Sequence, residues 1–300
     1  MSALCENELN RKRFECDPLA DSAVAEVARN RGEKALRNHD LYSAVKELGT
    51  ITKDSYCAKF IEFYEQEPSW NVEWQMCELG RRVFVRNSVF AGLVLMYGSL
   101  VSSFTAAFGN KYGCPINQED LAGTLSTFSS VVIHGLETLG IFLSKAEKDG
   151  YQTLWRYVGF YLGMTSDMLC NNYEEEWELC NMIRVRQCKP DPDSLMLTET
   201  LLQEFASKPP FHLSYNASSS LSRLFIGDDL ADELGLSRFN MPSQIIMALL
   251  YWMLRTMCLI QRGIPFLENV LYKFGKYSLN TIVHFSLGGR KPSFMMKVYS

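Results

Sequence analysis

The sequence has no C-x-x-C pair among its nine cysteines, no run of lysine or arginine, and almost no strand-like alternation of apolar and polar residues. The cysteines stand at 5, 16, 57, 77, 114, 170, 180, 188 and 258, an odd number without metal-ligand spacing. That pattern argues against a zinc finger and against a disulfide framework, and it fits a reducing compartment. A net charge of −4, with no basic patch, argues against nucleic-acid binding. The nucleophile elbow G-x-S-x-G, the zinc motif H-E-x-x-H, the P-loop and the dinucleotide fingerprint are all missing. The opening M-S-A-L-C-E-N-E-L-N-R-K-R is charged and has no apolar h-region, so no signal peptide is expected. Without one, the sequon Asn216-Ala217-Ser218 carries little meaning. The expected location is intracellular, in the cytoplasm or at the ER membrane.

What the sequence does hold is a globular composition of 47% hydrophobic and 21% charged residues over 300 positions, enough for a substantial core. Helical periodicity runs almost from end to end. Asp17 is the expected N-cap of a helix over 18–37, followed by helices over 40–48, 54–64 and 74–108, the last kinked near Gly80 and Gly98. Asn117 is the expected N-cap of a helix running to Lys148, with a stripe of Leu121, Leu125, Phe128, Val132, Leu136, Leu139 and Leu143. Asp149-Gly150 is read as its stop, and Tyr151 to Leu169 as the next helix, packed antiparallel on it. Further helices are expected over 174–187, 194–205, 218–236 (stepped at Ile226-Gly227-Asp228), 242–261 and 265–276. The class is all-α, a single large helical domain of roughly ten helices. Residues 1–70 form N-terminal helices, 71–280 the main domain and 281–300 a tail.

Residues 88–108 carry no charge and are flanked by Arg81, Arg82, Arg86 and Lys111. That length suits either a membrane span or a helix buried on all sides, and Gly92, Gly98 and several hydroxyl residues leave both readings open. Gly159 and Gly163 lie four apart in an expected helix interior. Each costs about 1 kcal/mol relative to alanine there, so a close approach by a helix or a flat ligand is expected to offset it.

The segments P-I-N-Q-E-D-L (115–121), G-L-E-T-L-G-I (135–141) and W-R-Y-V-G-F-Y-L-G (155–163) resemble the catalytic domain shared by latex-clearing proteins (rubber oxygenases) and MpaB-type ER-bound oxygenases. The motif residues are Pro115, Asn117, Gln118, Asp120, Trp155, Gly159 and Gly163. S-R-L-F-I-G-D-D-L-A (222–231) and E-L-G-L (233–236) resemble a later segment of the same family. The resemblance implies an all-helical oxidoreductase with haem b that oxidises an apolar, isoprenoid-like small molecule with dioxygen.

In that family the axial histidine precedes the P-I-N-Q turn, in a segment of the form V-R-x-x-H-A-x-V-R. Here Ser102 to Gly113 takes its place, shorter and without histidine or arginine. The family's ligand therefore maps onto no residue of this chain. Haem needs a His, Cys, Met or Tyr donor. Of His39, His134, His212 and His284, only His134 falls within the apolar helix pair. It is either a donor aimed into an inter-helix cavity or a histidine bonded to a hydroxyl such as Ser130 or Thr138. Arg156 is a candidate to meet a haem propionate or substrate, and equally a partner for Glu147 or Asp149. Glu174 to Glu178 has no accompanying histidine and reads as a solvated helix start, so no metal site is expected. Two functions remain: a haem-dependent oxygenase, or a catalytically dead helical scaffold that binds a lipid or a partner, at a membrane or away from it.

Overall fold

A computed structural model describes residues 6–32, 36, 38–103, 116–206, 212–238 and 241–286. The chain is all-α, and no β-strand element occurs among the described residues. In chain order the helices are α1 (Glu6–Lys12), α2 (Pro18–Arg31), α3 (Asn38–Ile51), α4 (Tyr56–Glu65), α5 (Trp74–Arg86), α6 (Ser88–Val94) and, after a π turn at Leu95–Ser99, α7 (Leu100–Ser103). There follow α8 (Gln118–Phe128), α9 (Ser130–Thr138), α10 (Lys145–Tyr161), α11 (Tyr173–Gln187) and α12 (Pro192–Phe205). The last four are α13 (Tyr215–Ile226), α14 (Asp228–Glu233), α15 (Met241–Gly263) and α16 (Pro265–Ser286).

These helices gather into two compact units that interleave along the sequence. The first comprises Met1–Trp74, Ala107–Ser126 and Gln152–Gln187. Asp17 caps α2 as expected, accepting from the Leu19 and Ala20 amides at 3.0 Å. One core lies under α2 to α4, around Ala23, Val27, Val45 and Cys57. Another joins Leu9, Leu125, Met168, Leu169, Leu179 and Ile183. Burying each such side chain contributes about 1.5–3 kcal/mol.

The second unit comprises Gln75–Ala106, Thr127–Tyr151 and Cys188–Ser300. Its core is built on Tyr97, Val101, Leu202, Leu221 and Ala231. Gly80 and Gly150 mark a helix crossing: a Cβ on Gly80 would collide with the Gly150 carbonyl, and one on Gly150 would lie 2.7 Å from the Met76 carbonyl. Gly80 is thus a contact rather than a kink. The real break in 74–103 is at Asn87, where α5 and the following segment meet at 83°. In the described part of the 88–108 stretch, Ala91, Val94, Tyr97 and Val101 are fully packed inside.

The expected 117–148 helix is broken into α8, α9 and the first turn of α10. Ser129 leaves helical geometry at φ −105°, ψ −94°. The carbonyls freed at the break are taken by side chains: the Ser99 hydroxyl donates to Thr127 O at 2.7 Å, and the Tyr151 hydroxyl donates to Phe128 O at 2.9 Å. Gly140, at φ +94°, then ends α9. Asp149-Gly150 does not stop a helix, because α10 has already started at Lys145. Ser144 and Glu147 form its capping box: Glu147 accepts from the Ser144 amide and hydroxyl at 2.8 and 2.9 Å, and its own amide donates to the Ser144 hydroxyl. That Ser-x-x-Glu signal is present in the sequence and outweighs the Asp-Gly punctuation.

Candidate functional site

The motif residues of the first unit form a structural clamp. Asn117 accepts from the Asp120 amide at 2.9 Å and donates to the Asp120 carboxylate at 2.8 Å, so it caps α8 as its sequence position indicated. Gln118 is fully buried. Its amide nitrogen donates to Gly163 O at 3.0 Å and its oxygen accepts from the Thr165 amide at 2.9 Å. Its backbone amide donates to Glu15 O at 2.9 Å. Pro115 lies outside the described residues.

Gly159 is the crossing point of α10. A Cβ there would lie 2.9–3.0 Å from Leu169, Leu125 and Met164. Gly163 does not share its helix, because α10 ends at Tyr161. Gly163 sits in the turn beyond at φ +80°, and a Cβ there would collide with the Asp17 carboxylate. It is the left-handed residue that closes the helix rather than a helix-interior contact. Trp155 packs against the core of Leu125 and Met168.

The structure does not bring Arg156 to Glu147 or Asp149. Its guanidinium lies 4.5 Å from the centre of the Trp70 ring. Its Nε is buried with no hydrogen-bond partner, and burial holds its pKa below the usual value, partly offset by Cys170 and Glu175. Glu147 instead pairs with Arg86, and Asp149 with Lys145.

His134 belongs to the second unit, half-buried on α9. The hydroxyl of Thr138 donates to the His134 carbonyl at 2.9 Å. Arg156 lies in the other unit. His212 and His284 are exposed, and the His39 side chain lies outside the described residues.

Four features have a structural setting that the sequence did not indicate. Thr198, Ser218, Ser219 and Ser222 are fully buried, with hydroxyls that find no hydrogen-bond partner. Arg223, 2% exposed, holds Asp228 and Asp232 at 2.9 and 2.6 Å and also donates to the Ser237 carbonyl. Glu119, fully buried, receives Arg186 Nε at 3.0 Å and lies 3.6 Å from Arg13. A groove of about 670 Å³ runs between α15 and α16, lined by apolar residues such as Trp252, Met257, Ile260, Leu267 and Leu271.

With this geometry in place, the sequence matches the family described as "ER-bound oxygenase mpaB/B'/Rubber oxygenase, catalytic domain" over residues 99–256, just over half of the chain. The chain belongs to that family. No curated protein matches it. A solved structure of latex clearing protein LCP in the closed state is similar to it, with a TM-score of 0.65 at 15% identity. That likeness covers 88% of this chain and 91% of the other, and at that identity it establishes the shared fold.

The rubber-oxygenase family implies haem b, and the residues described here do not fit it in the family's manner. The unpartnered buried polar atoms described in the second unit are the Arg86 Nε and the hydroxyls of Thr198, Ser218, Ser219 and Ser222, none of which is a haem donor. Burial raises the Cys170 thiol to about 12 and the Cys57 thiol to about 11, so neither supplies a thiolate near neutral pH. The apolar groove contains no histidine, cysteine or tyrosine, and methionine, as Met253 and Met257, is the one donor type that lines it.

Proposed function

We propose that this chain binds an apolar, isoprenoid-like molecule on the oxygenase-family scaffold and, as it stands, does not oxidise it through haem b. The observation that carries this reading is the donor inventory. The 102–113 connection has neither the histidine nor the arginine that precede the P-I-N-Q turn in relatives. The motif residues that are present, Asn117, Gln118, Asp120 and Gly163, hold helix ends together instead of facing a reacting centre. The groove between α15 and α16 supplies apolar walls with Thr256 and Gln261 as the polar groups, which suits a chain with a single hydroxyl or carbonyl.

Family membership favours a second reading, in which the chain is a haem-dependent oxygenase. There His134 would be the axial donor, because it is the histidine borne by a helix of the packed interior. Neither reading involves nucleic acid, and both suit an intracellular protein, in the cytoplasm or at the ER membrane.

A titration with a short polyprenol, followed by tryptophan fluorescence and by dioxygen uptake, separates the two. Saturable binding that weakens in Trp252→Ala, without dioxygen consumption after incubation with haemin, is the expected result. Dioxygen uptake with a cleaved product would put the oxygenase reading first.

A further inference from the structure

The helices α15 and α16 expose more large apolar side chains than any other pair described. Ile245, Ile246, Leu249, Trp252, Met253 and Ile260 on α15 are each at least half exposed, as are Phe266, Phe274 and Tyr277 on α16. A soluble surface helix keeps such residues on its inner stripe. Here the inner stripes exist and are occupied by other residues. On α15, Leu254 is buried, Arg255 stacks on the Phe142 ring at 3.8 Å, and Cys258 and Arg262 donate to Phe142 O at 3.3 and 3.0 Å. On α16, Gly275 O accepts from the Ser88 hydroxyl at 3.0 Å, Glu268 pairs with Arg82, and Tyr272 accepts from Arg81. Each helix is therefore fixed by one face and presents an apolar face on the other side. The stretch Gln244–Gly263 is long and apolar enough to cross a membrane, yet only 6% of it is buried. That low burial separates it from the core helix of a soluble protein.

Charge identifies the occupant of this face. The hairpin itself, residues 241–286, holds four Lys/Arg and one Asp/Glu, whereas residues 1–240 hold 23 Lys/Arg and 33 Asp/Glu. An acidic chain thus carries a basic, apolar hairpin. Lys273 and Lys276 are exposed on α16, interleaved with the exposed rings of Phe274 and Tyr277. Cations beside aromatic and aliphatic side chains on a fixed helix are the composition that lies in a headgroup layer. A second copy of the same face would bring like charges together, which argues against self-association through it.

We infer that the α15–α16 hairpin docks this protein on an anionic lipid bilayer, lying in the plane of the surface with Trp252 and Phe274 in the boundary between headgroups and acyl chains. The helices do not span, because their inner faces stay bonded to the fold through Phe142, Ser88 and Arg82. The apolar groove between them opens on the same hairpin, so an isoprenoid-like molecule dissolved in the bilayer has direct access to it. The docking itself is independent of haem and of the groove's ligand.

Flotation of the full chain with vesicles tests it. Vesicles of phosphatidylcholine with about a third phosphatidylserine are expected to carry the protein upward, and pure phosphatidylcholine vesicles far less. At about 1 kcal/mol for each basic residue near the surface, Lys273→Glu with Lys276→Glu is expected to weaken binding tenfold or more. Phe274→Ser should weaken it on both vesicle types. These positions are exposed, and circular dichroism checks that the variants fold. Brominated acyl chains provide a second readout, since they should quench the wild type and quench Trp252→Phe less. No flotation, equal flotation on neutral and anionic vesicles, or a dimer in solution that Phe274→Ser dissociates would each overturn the inference.

Discussion

The side chain of Gln118 holds the chain around Gly163 in place: its nitrogen donates to Gly163 O at 3.0 Å and its oxygen accepts from the Thr165 amide at 2.9 Å. One buried amide therefore ties the start of α8 to the turn that closes α10. The P-I-N-Q and L-G halves of the family motif meet at this contact, which gives them a structural role. Gln118→Ala is expected to destabilise the fold by about 1–3 kcal/mol, the cost of leaving such groups unsatisfied. Urea unfolding of the full chain measures it. A change near zero would show that the clamp carries no stability.

Gly159 and Gly163 should respond differently to substitution, because one is a packing contact and the other a backbone position. Gly159→Leu drives a side chain into Leu125, Leu169 and Met164, and overpacking of this kind costs about 1–3 kcal/mol or more. Gly163→Ala places a Cβ at φ +80° and against Asp17, so even a methyl group should be costly there. Thermal melts of the two variants check this. Tolerance of both would contradict the account of α10 and its end.

Glu119 and Arg186 form an ion pair whose carboxylate is fully buried. Arg186→Ala is expected to be clearly destabilising, by less than the roughly 3–5 kcal/mol of a fully unpaired buried charge, because Arg13 remains 3.6 Å from that carboxylate. Replacing both, as Glu119→Leu with Arg186→Met, should recover most of the loss. A double-mutant cycle in urea gives the comparison, and a double variant no more stable than Arg186→Ala would refute it.

Acid should loosen the pair of Arg86 and Glu147. Burial alone would raise the Glu147 pKa, but Arg86 and the amide and hydroxyl of Ser144 outweigh it, and the net value lies below the ordinary 4.5. A carboxylate depressed in the folded state adds stability above its unfolded pKa and loses it as pH falls through the folded one. The difference in stability between wild type and Glu147→Gln is therefore expected to shrink between pH 7 and about pH 3. A difference independent of pH would contradict the pairing.

The all-α class was legible in the sequence because apolar residues recur at helical spacing almost throughout, and both Asp17 and Asn117 act as the caps their positions indicated. The breaks were less legible. The hydroxyls of Ser99 and Tyr151 that stabilise the gap after Phe128 come from distant parts of the sequence, so no local pattern marks that gap. Ser144 and Glu147 did leave a local mark, overshadowed by Asp149-Gly150, which the fold uses as a helix crossing. At the site, the sequence singled out the motif residues but not what they contact. Arg156 stacks on Trp70, a partner 86 positions away that spacing alone does not indicate. The buried hydroxyls of α12 and α13 likewise became visible only once those helices were packed together.

The central claim is that this chain keeps the family's helical scaffold without the family's means of holding haem b. Titration of the purified full chain with haemin, read as Soret absorbance and as iron content per chain, tests it most directly. The account gives substoichiometric, weak association with no sharp Soret band, unchanged in His134→Ala. A stoichiometric haem with a sharp band would contradict it, and loss of that band in His134→Ala would make His134 the ligand.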